Sequence, residues 1–517
     1  MKKINYQQKG LNVHLISALM ILTAISAPWF DLSVSNHSFI KTYIAGIGII
    51  ILVLMSLWNK RPDANSSLHI STIKTSLLAL FALGSVSVFW SVNVDFSITK
   101  WMIWFTIFCA FVVGYHLKID NKTLLKLAWG LLIAAFVIAA VGILQYLFDP
   151  FTLTQATPPS STFGNKNMTT QPIVLIWPLA LFLLFSNQVK GRQVWVLTTL
   201  TALLMVFVFY TKTRSSWLSI IAEVILIGGF LLLQRKHFTS WITWDSNKTT
   251  ATLFAIVLFL LMINLNKYGA ESSVGSAASQ TASAFQDAGK SGQVRLRIYE
   301  VAIDMIKAAP IFGTGLGSWF HNEIQGGFGT HNVLSYQRAH NDFLEVGVET
   351  GIVGMVLLLI AALSLSIAMF KIIFNDNLRH SRFYFLLWVG LTGSFVQMQF
   401  SFPYQLAMPA LLFGLYAGIT AKHSEQFIKP LKLLKRKTTS LYYRFVKGAW
   451  MLILVVISSI YIEWIIAYSM LNKINISRNF NQIEYNIPSI YHLEFQNVLG
   501  FLSQAYLEAN KATAGGN

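Results

Sequence analysis

The sequence predicts an all-α polytopic membrane protein of about 13 transmembrane helices, with one helical loop subdomain outside the bundle. Three observations carry that prediction. The 517 residues are 54% hydrophobic and only 12% charged, a balance that cannot cover a water-soluble globule with a polar surface. The apolar residues gather in runs, most of them about 17–25 residues long, the length a helix needs to cross ~30 Å of hydrocarbon. Lys and Arg concentrate in alternate gaps between those runs, as positively charged inner loops do.

Each element can be justified in order. The first run, 11–30, follows the basic segment Met1 to Lys9 and could pass for a secretion signal, but it lacks a small-residue cleavage site and is read as a retained helix. Further spans fall at 39–58, 74–91, 99–117, 123–148, 170–186, 194–210, 215–233 and 251–265, then at 351–371, 383–400, 404–421 and 447–469. With the N-terminus cytoplasmic, the inner gaps hold Lys60/Arg61, Lys118/Lys122, Lys190/Arg192, Arg235/Lys236/Lys248, Arg379/Arg382 and the dense run from Lys429 to Arg444. The short outer gaps 31–38, 92–98 and 401–403 contain neither Lys nor Arg. The chain therefore divides into 1–265 (nine spans), a large outer loop 266–350, 351–469 (four spans) and an outer tail 470–517. The net charge of +18 has this topological explanation and calls for no nucleic acid. A single cysteine excludes an intrachain disulfide and a cysteine metal site.

Within the outer loop, Glu271 to Gln293 is rich in Ser, Ala, Gly and Gln and reads as a flexible lead-in. From Val294 to Ala309, Val294, Ile298, Val301, Ala302, Met305 and Ile306 recur at helical spacing up to Pro310, so an amphipathic helix is expected, with Arg295 and Glu300 on its other face. Next comes PIFGTGLGSWF, residues 310–320, whose Gly313, Gly315 and Gly317 mark a tight turn. It is not a nucleotide loop, because no strand precedes it and no soluble sheet surrounds it. In the tail, Phe495, Val498, Leu499, Phe501, Leu502, Tyr506 and Leu507 suggest one or two short helices.

The polar chemistry collects at the outer ends of the spans. HNDFLE, residues 340–345, leads through Glu349 into an apolar helix, and on a helix His340, Leu344 and Gly347 would share one side while Glu345 and Glu349 share another. His340 and Asn341 admit a plain capping role. A metal reading would need His321 or His331 to fold back, since HNDFLE is not HExxH. Lys212 and Arg214 lie in a tight outer turn, and Asn165, Lys166 and Asn167 precede the sixth span. Such cations commonly anchor at headgroups. Several of them converging with Arg295 and Arg338 would instead suit a diphosphate, which arginine pairs bidentately. Gln397, Gln399, Tyr404 and Gln405 flank the last outer turn and are further candidates to line that cavity.

The ordered motifs GNKN, TRSSW, RLRIY ahead of PIFGTGLGSWF, and HNDFLEVGVETGIVG resemble the superfamily of bacterial O-antigen ligases, Wzy-type polymerases and PglL-type protein O-oligosaccharyltransferases. The resemblance covers most of residues 120–420. It implies a glycosyltransferase-C-like bundle in the inner membrane that takes a glycan from undecaprenyl diphosphate on the periplasmic face, with neither nucleotide sugar nor required metal or cofactor. Carried over by position, it implies that Arg214 and Arg295 bind the donor diphosphate, helped by Lys212 and Arg338, and that His340 activates the acceptor. Asn165, Asn167, Asn341, Asp342 and Glu345 are then supporting residues, Asp342 or Glu345 as a partner that orients the imidazole. The expected activity is O-antigen ligation to lipid A-core. A polysaccharide polymerase, a protein O-oligosaccharyltransferase and a non-enzymatic envelope transporter or scaffold are the alternatives. Polar groups gathered at the rim, rather than facing one another at mid-membrane, argue against the last.

Overall fold

The computed structural model describes residues 12–28, 37–58, 67–233, 242–268, 281, 288–319, 338–429, 432–435 and 447–462. The described helices are α1 (Val13–Ile25), α2 (His37–Trp58), α3 (Thr72–Ser87), α4 (Val94–His116), α5 (Asn121–Leu147), α6 (Lys166–Ile176), α7 (Pro178–Leu184), α8 (Arg192–Thr211) and α9 (Arg214–Leu233). They continue as α10 (Ser246–Met262), α11 (Ala288–Ala308), α12 (Asp342–Asn375), α13 (Leu378–Met398), α14 (Ala407–Ser424) and α15 (Lys447–Ile462). A two-stranded antiparallel sheet pairs β1 (Ser67–Ile70) with β2 (Lys432–Lys435), Ser67 opposite Lys435.

Local chemistry sets the helix starts. Side-chain oxygens of Asp120 and Asp245 accept the backbone N–H of Thr123 and Lys248, each at 2.8 Å, so both acidic side chains cap otherwise apolar helices. Pro178 begins α7 directly after α6, so the two form one interrupted apolar span. Where α4 and α14 cross, a Cβ on Gly418 would lie 2.1 Å from the Phe111 carbonyl oxygen. A helix pair can approach this closely only over small residues.

Among the described residues, eight helical segments are long and apolar enough to cross a membrane: 37–57, 72–90, 96–116, 121–147, 166–184, 192–211, 214–233 and 342–375. Val13–Ile25, Ser246–Met262 and Lys447–Ile462 are apolar but shorter. Leu232, Leu261 and Leu363 point outward, whereas the opposite faces of the bundle bury one large apolar core. That outward apolar face is what lipid rather than water would solvate.

Three boundaries differ from the sequence reading, for local reasons. Helix α12 begins at Asp342 rather than 351, because Asn341 caps a polar first turn that hydropathy does not register. Helix α11 begins at Ala288, inside the expected lead-in. The 166–184 segment starts four residues before the expected span because Asn165 caps it. The apolar positions of α11 do face inward: Ile298, Ala302 and Met305 pack with Trp319, Ala339 and Val348 in a small second core. Residues 320–337, with His321 and His331, and the tail from 463 onward lie outside the described residues.

Candidate functional site

The site is built around a break in α12. Gly351 has φ +67° inside this helix, and a Cβ there would fall 2.2 Å from the Ile311 carbonyl oxygen. Only glycine accepts both the left-handed backbone and that contact. The 310–319 turn is stitched across the break: Ile352 N donates to Pro310 O at 2.8 Å, Thr314 N to Val348 O at 2.9 Å and Gly315 N to Glu349 O at 3.0 Å. Ser97 and Ser91 hydroxyls bind the carbonyl of Leu316 at 2.5 and 3.1 Å, fixing the same turn to the start of α4. The glycine-rich stretch is thus a packing device that holds the N-terminal end of α12.

His340 lies just outside that end. Its φ of +52° takes it off the helix, so it does not share a side with Leu344 and Gly347 as a helical continuation would require. Asn341 is the cap: its Oδ1 accepts Phe343 N at 3.0 Å and Leu344 N at 3.1 Å. The Asn341 Nδ2 is 3.4 Å from Gln399 Oε1, and the Tyr299 hydroxyl of α11 donates to the Gln399 carbonyl, with the His340 carbonyl 3.4 Å away. The imidazole meets the Phe402 ring edge-on, centroids 5.3 Å apart. Burial, then the neighbouring Arg295 charge, push the His340 pKa down to about 4, against a smaller opposing pull from Glu345. The ring is therefore neutral near pH 7.

Arg295 extends the site. Burial lowers its pKa, and the nearby Arg214 guanidinium lowers it further, with Tyr299 opposing. The structure thus brings Arg295 within electrostatic reach of both Arg214 and His340. Arg214 opens α9, directly after Lys212, which closes α8 with φ +52°. Asn167 Oδ1 accepts the Thr213 hydroxyl at 3.3 Å, while Asn165 caps α6 by accepting Asn167 N at 2.9 Å. Ser216 bonds Thr170 at 2.6 Å and receives Gln397 Nε2 at 2.8 Å, so α6, α9 and α13 are tied just behind the arginine.

Beneath this layer is a network that reading the sequence missed. Lys100 on α4, 2% exposed, bridges Glu345 at 2.5 Å and Glu349 at 2.7 Å. Arg338 pairs with the same Glu345 at 3.2 Å, and Ala339 N donates to its other oxygen at 3.0 Å. The Arg338 guanidinium is therefore held by a protein carboxylate, unlike a cation reserved for a ligand. The Asp342 oxygens accept Tyr404 N at 3.0 Å and Gln405 Nε2 at 3.2 Å, so Asp342 and Glu345 both brace the start of α12. A lysine inside an apolar span was the available signal, since such a residue needs polar partners, a carboxylate or backbone carbonyls.

An apolar cavity of about 360 Å³ opens beside Asp342, Tyr404 and Gln405 and runs between α3, α4, α12, α13 and α14 as far as Lys74. Its walls include Phe81, Trp104, Phe108, Phe343 and Phe395.

Residues 199–359 match the family model described as O-antigen ligase, a stretch that holds Lys212, Arg214, Arg295, Arg338 and His340 and leaves out Asn165 and Asn167. An uncharacterized protein of Haemophilus influenzae is 25% identical over 231 residues, 42% of this chain, and the match spans 54% of that relative. The chain thus matches about half the length of that curated relative. The O-antigen ligase match at residues 199–359 supports membership of the chain in the superfamily of O-antigen ligases, Wzy-type polymerases and PglL-type transferases.

Proposed function

We propose that the protein transfers a glycan from undecaprenyl diphosphate to an acceptor hydroxyl at the periplasmic face of the inner membrane, the acceptor being a sugar of lipid A-core. One observation carries this reading: a neutral imidazole, His340, beside Arg295, which in turn neighbours Arg214, at one end of an apolar bundle. The acceptor oxygen attacks the anomeric carbon, and its proton passes to the unprotonated ring nitrogen of His340. The bond from that carbon to the diphosphate oxygen breaks, and the electron pair leaves with the diphosphate. Arg214 and Arg295 stabilise that growing charge, with Lys212 at the rim. Attack opposite the leaving group inverts the anomeric centre. Asn341, Asp342 and Glu345 position His340 by holding the start of α12, and Asn165 and Asn167 hold the turn that presents Arg214. The apolar cavity suits the chain of a lipid-linked substrate, because its lining offers few polar groups to anything else.

A polymerase would use the same donor half, and its acceptor would be a second lipid-linked chain. Deletion of the gene separates the readings through lipopolysaccharide banding and carrier-linked glycan. Uncapped core with long chains left on the carrier is expected. Single repeat units would indicate a polymerase, and normally capped core would reject ligation and point to a protein acceptor.

A further inference from the structure

Far from His340, three helix ends bring together a second constellation that the transfer reaction does not use. Asp376 closes α12, His380 lies in the first turn of α13, and His423 in the last turn of α14. Asp376 Oδ2 is 2.9 Å from His380 Nδ1 and 2.5 Å from His423 Nε2. These three atoms lie within 4.8 Å of one another. The other carboxylate oxygen accepts Asn377 N at 2.6 Å and Asn377 Nδ2 at 3.0 Å, which aims Oδ2 at the two rings. The side chains of Asp376, His380 and His423 are 14%, 13% and 5% exposed, so little water competes for the centre.

Hydrogen bonding alone leaves this cluster in conflict. Asn377 Oδ1 accepts Arg379 N at 3.2 Å and His380 N at 3.1 Å, which fixes the amide so that its Nδ2 faces His380 Nδ1 at 2.9 Å. A donor there asks Nδ1 for a lone pair, whereas the carboxylate oxygen at the same distance asks it for a proton. His380 Nε2, meanwhile, is buried without a hydrogen-bond partner. A cation bound by the lone pairs of Nδ1, Nε2 of His423 and Oδ2 removes the repulsion between Nδ1 and Oδ2, while Asn377 Nδ2 keeps Asp376 Oδ1 as its acceptor at 3.0 Å. With bonds of about 2.1 Å, tetrahedral ligands stand about 3.4 Å apart, so the two Oδ2–N distances would open by up to about 1 Å and the two ring nitrogens, now within 4.8 Å, would close by up to about 1.4 Å.

We propose that Asp376, His380 and His423 form a binding site for a divalent transition metal of the zinc class. Two imidazoles and one carboxylate suit zinc, whereas magnesium and calcium favour all-oxygen sets. Three protein ligands leave one position for water. Three nearby cations are engaged elsewhere: Lys422 and Lys74 with Glu425 at 2.8 and 2.5 Å, and Arg382 with the Phe185 carbonyl at 2.7 Å. Such a metal would pin together the ends of α12, α13 and α14. The first of these carries the HN motif at its other end, so the site is a structural clamp on the helices that frame the cavity.

The test uses the full chain in detergent, carrying no polyhistidine tag and stripped with chelator, titrated with Co²⁺. One equivalent is expected, with visible d–d absorption of a low-symmetry site, displaced by Zn²⁺ and not by Mg²⁺. His380→Ala and His423→Ala should each weaken uptake at least about tenfold, with gel filtration showing that the variants stay monodisperse. The wild-type titration decides by itself if a variant misfolds: no cobalt uptake overturns the proposal and leaves a hydrogen-bonded clasp. Equal uptake by wild type and both variants overturns it too, because the metal then rests on other histidines.

Discussion

Two charged layers lie at the N-terminal end of α12, and they are built on opposite rules. In the lower one every cation meets a carboxylate: Lys100 bridges Glu345 and Glu349, and Arg338 pairs with Glu345. In the upper one cation faces cation, Arg214 beside Arg295, with Arg295 in turn beside a neutral His340. Matched charge in a buried place fixes geometry, whereas like charges held together are attractive to an anion that joins them. The lower layer therefore reads as scaffold and the upper as site.

That contrast can be broken from either side. The largest effect is expected above: Arg214→Ala or Arg295→Ala should each reduce transfer by about 10²–10³, the size of a lost transition-state donor, with membrane insertion and protein level unchanged. Unchanged transfer in both variants would remove the donor-site assignment. Below, Lys100→Met should act on folding, since it takes the ion-pair partner from buried Glu349 and leaves Glu345 only Arg338, and breaking a buried pair costs about 3–5 kcal/mol. Thermal unfolding in detergent reads this directly, and a stability equal to wild type would mean that the network is not a clamp.

The smallest effect sharpens the link within the upper layer. His340 works as the neutral form and its pKa is lowered to about 4, so single-turnover rate should be flat near neutral pH and fall as pH drops through about 4. Arg295→Ala removes a charge that disfavours imidazolium, so the acid limb of its residual activity should move to higher pH. A limb that stays in place would show that Arg295 does not act on the ring.

Much of this was legible in the sequence because hydrocarbon imposes a length and an apolar composition on each crossing. The rim residues were legible because Arg214, Arg295 and His340 are polar groups next to apolar runs. The start of α12 was not, since Asp342 to Thr350 is polar enough to read as loop, and only the Asn341 cap and the left-handed Gly351 reveal one interrupted helix. The lower layer was missed for a different reason: Lys100 and Glu345 are 245 positions apart, and no local pattern announces such a pair. Asp376 and His423 likewise meet only when α12 and α14 pack.

The central claim is a division of labour in the upper layer, with the arginines holding the donor and His340 taking the proton. Donor affinity and single-turnover rate measured together in purified His340→Ala and Arg295→Ala test it most directly. The expected result is a His340→Ala enzyme that binds lipid-linked donor as wild type does but turns over slower by at least about 10², against an Arg295→Ala enzyme weakened in donor binding. Wild-type turnover in His340→Ala, or donor binding lost there as severely as in Arg295→Ala, would contradict it.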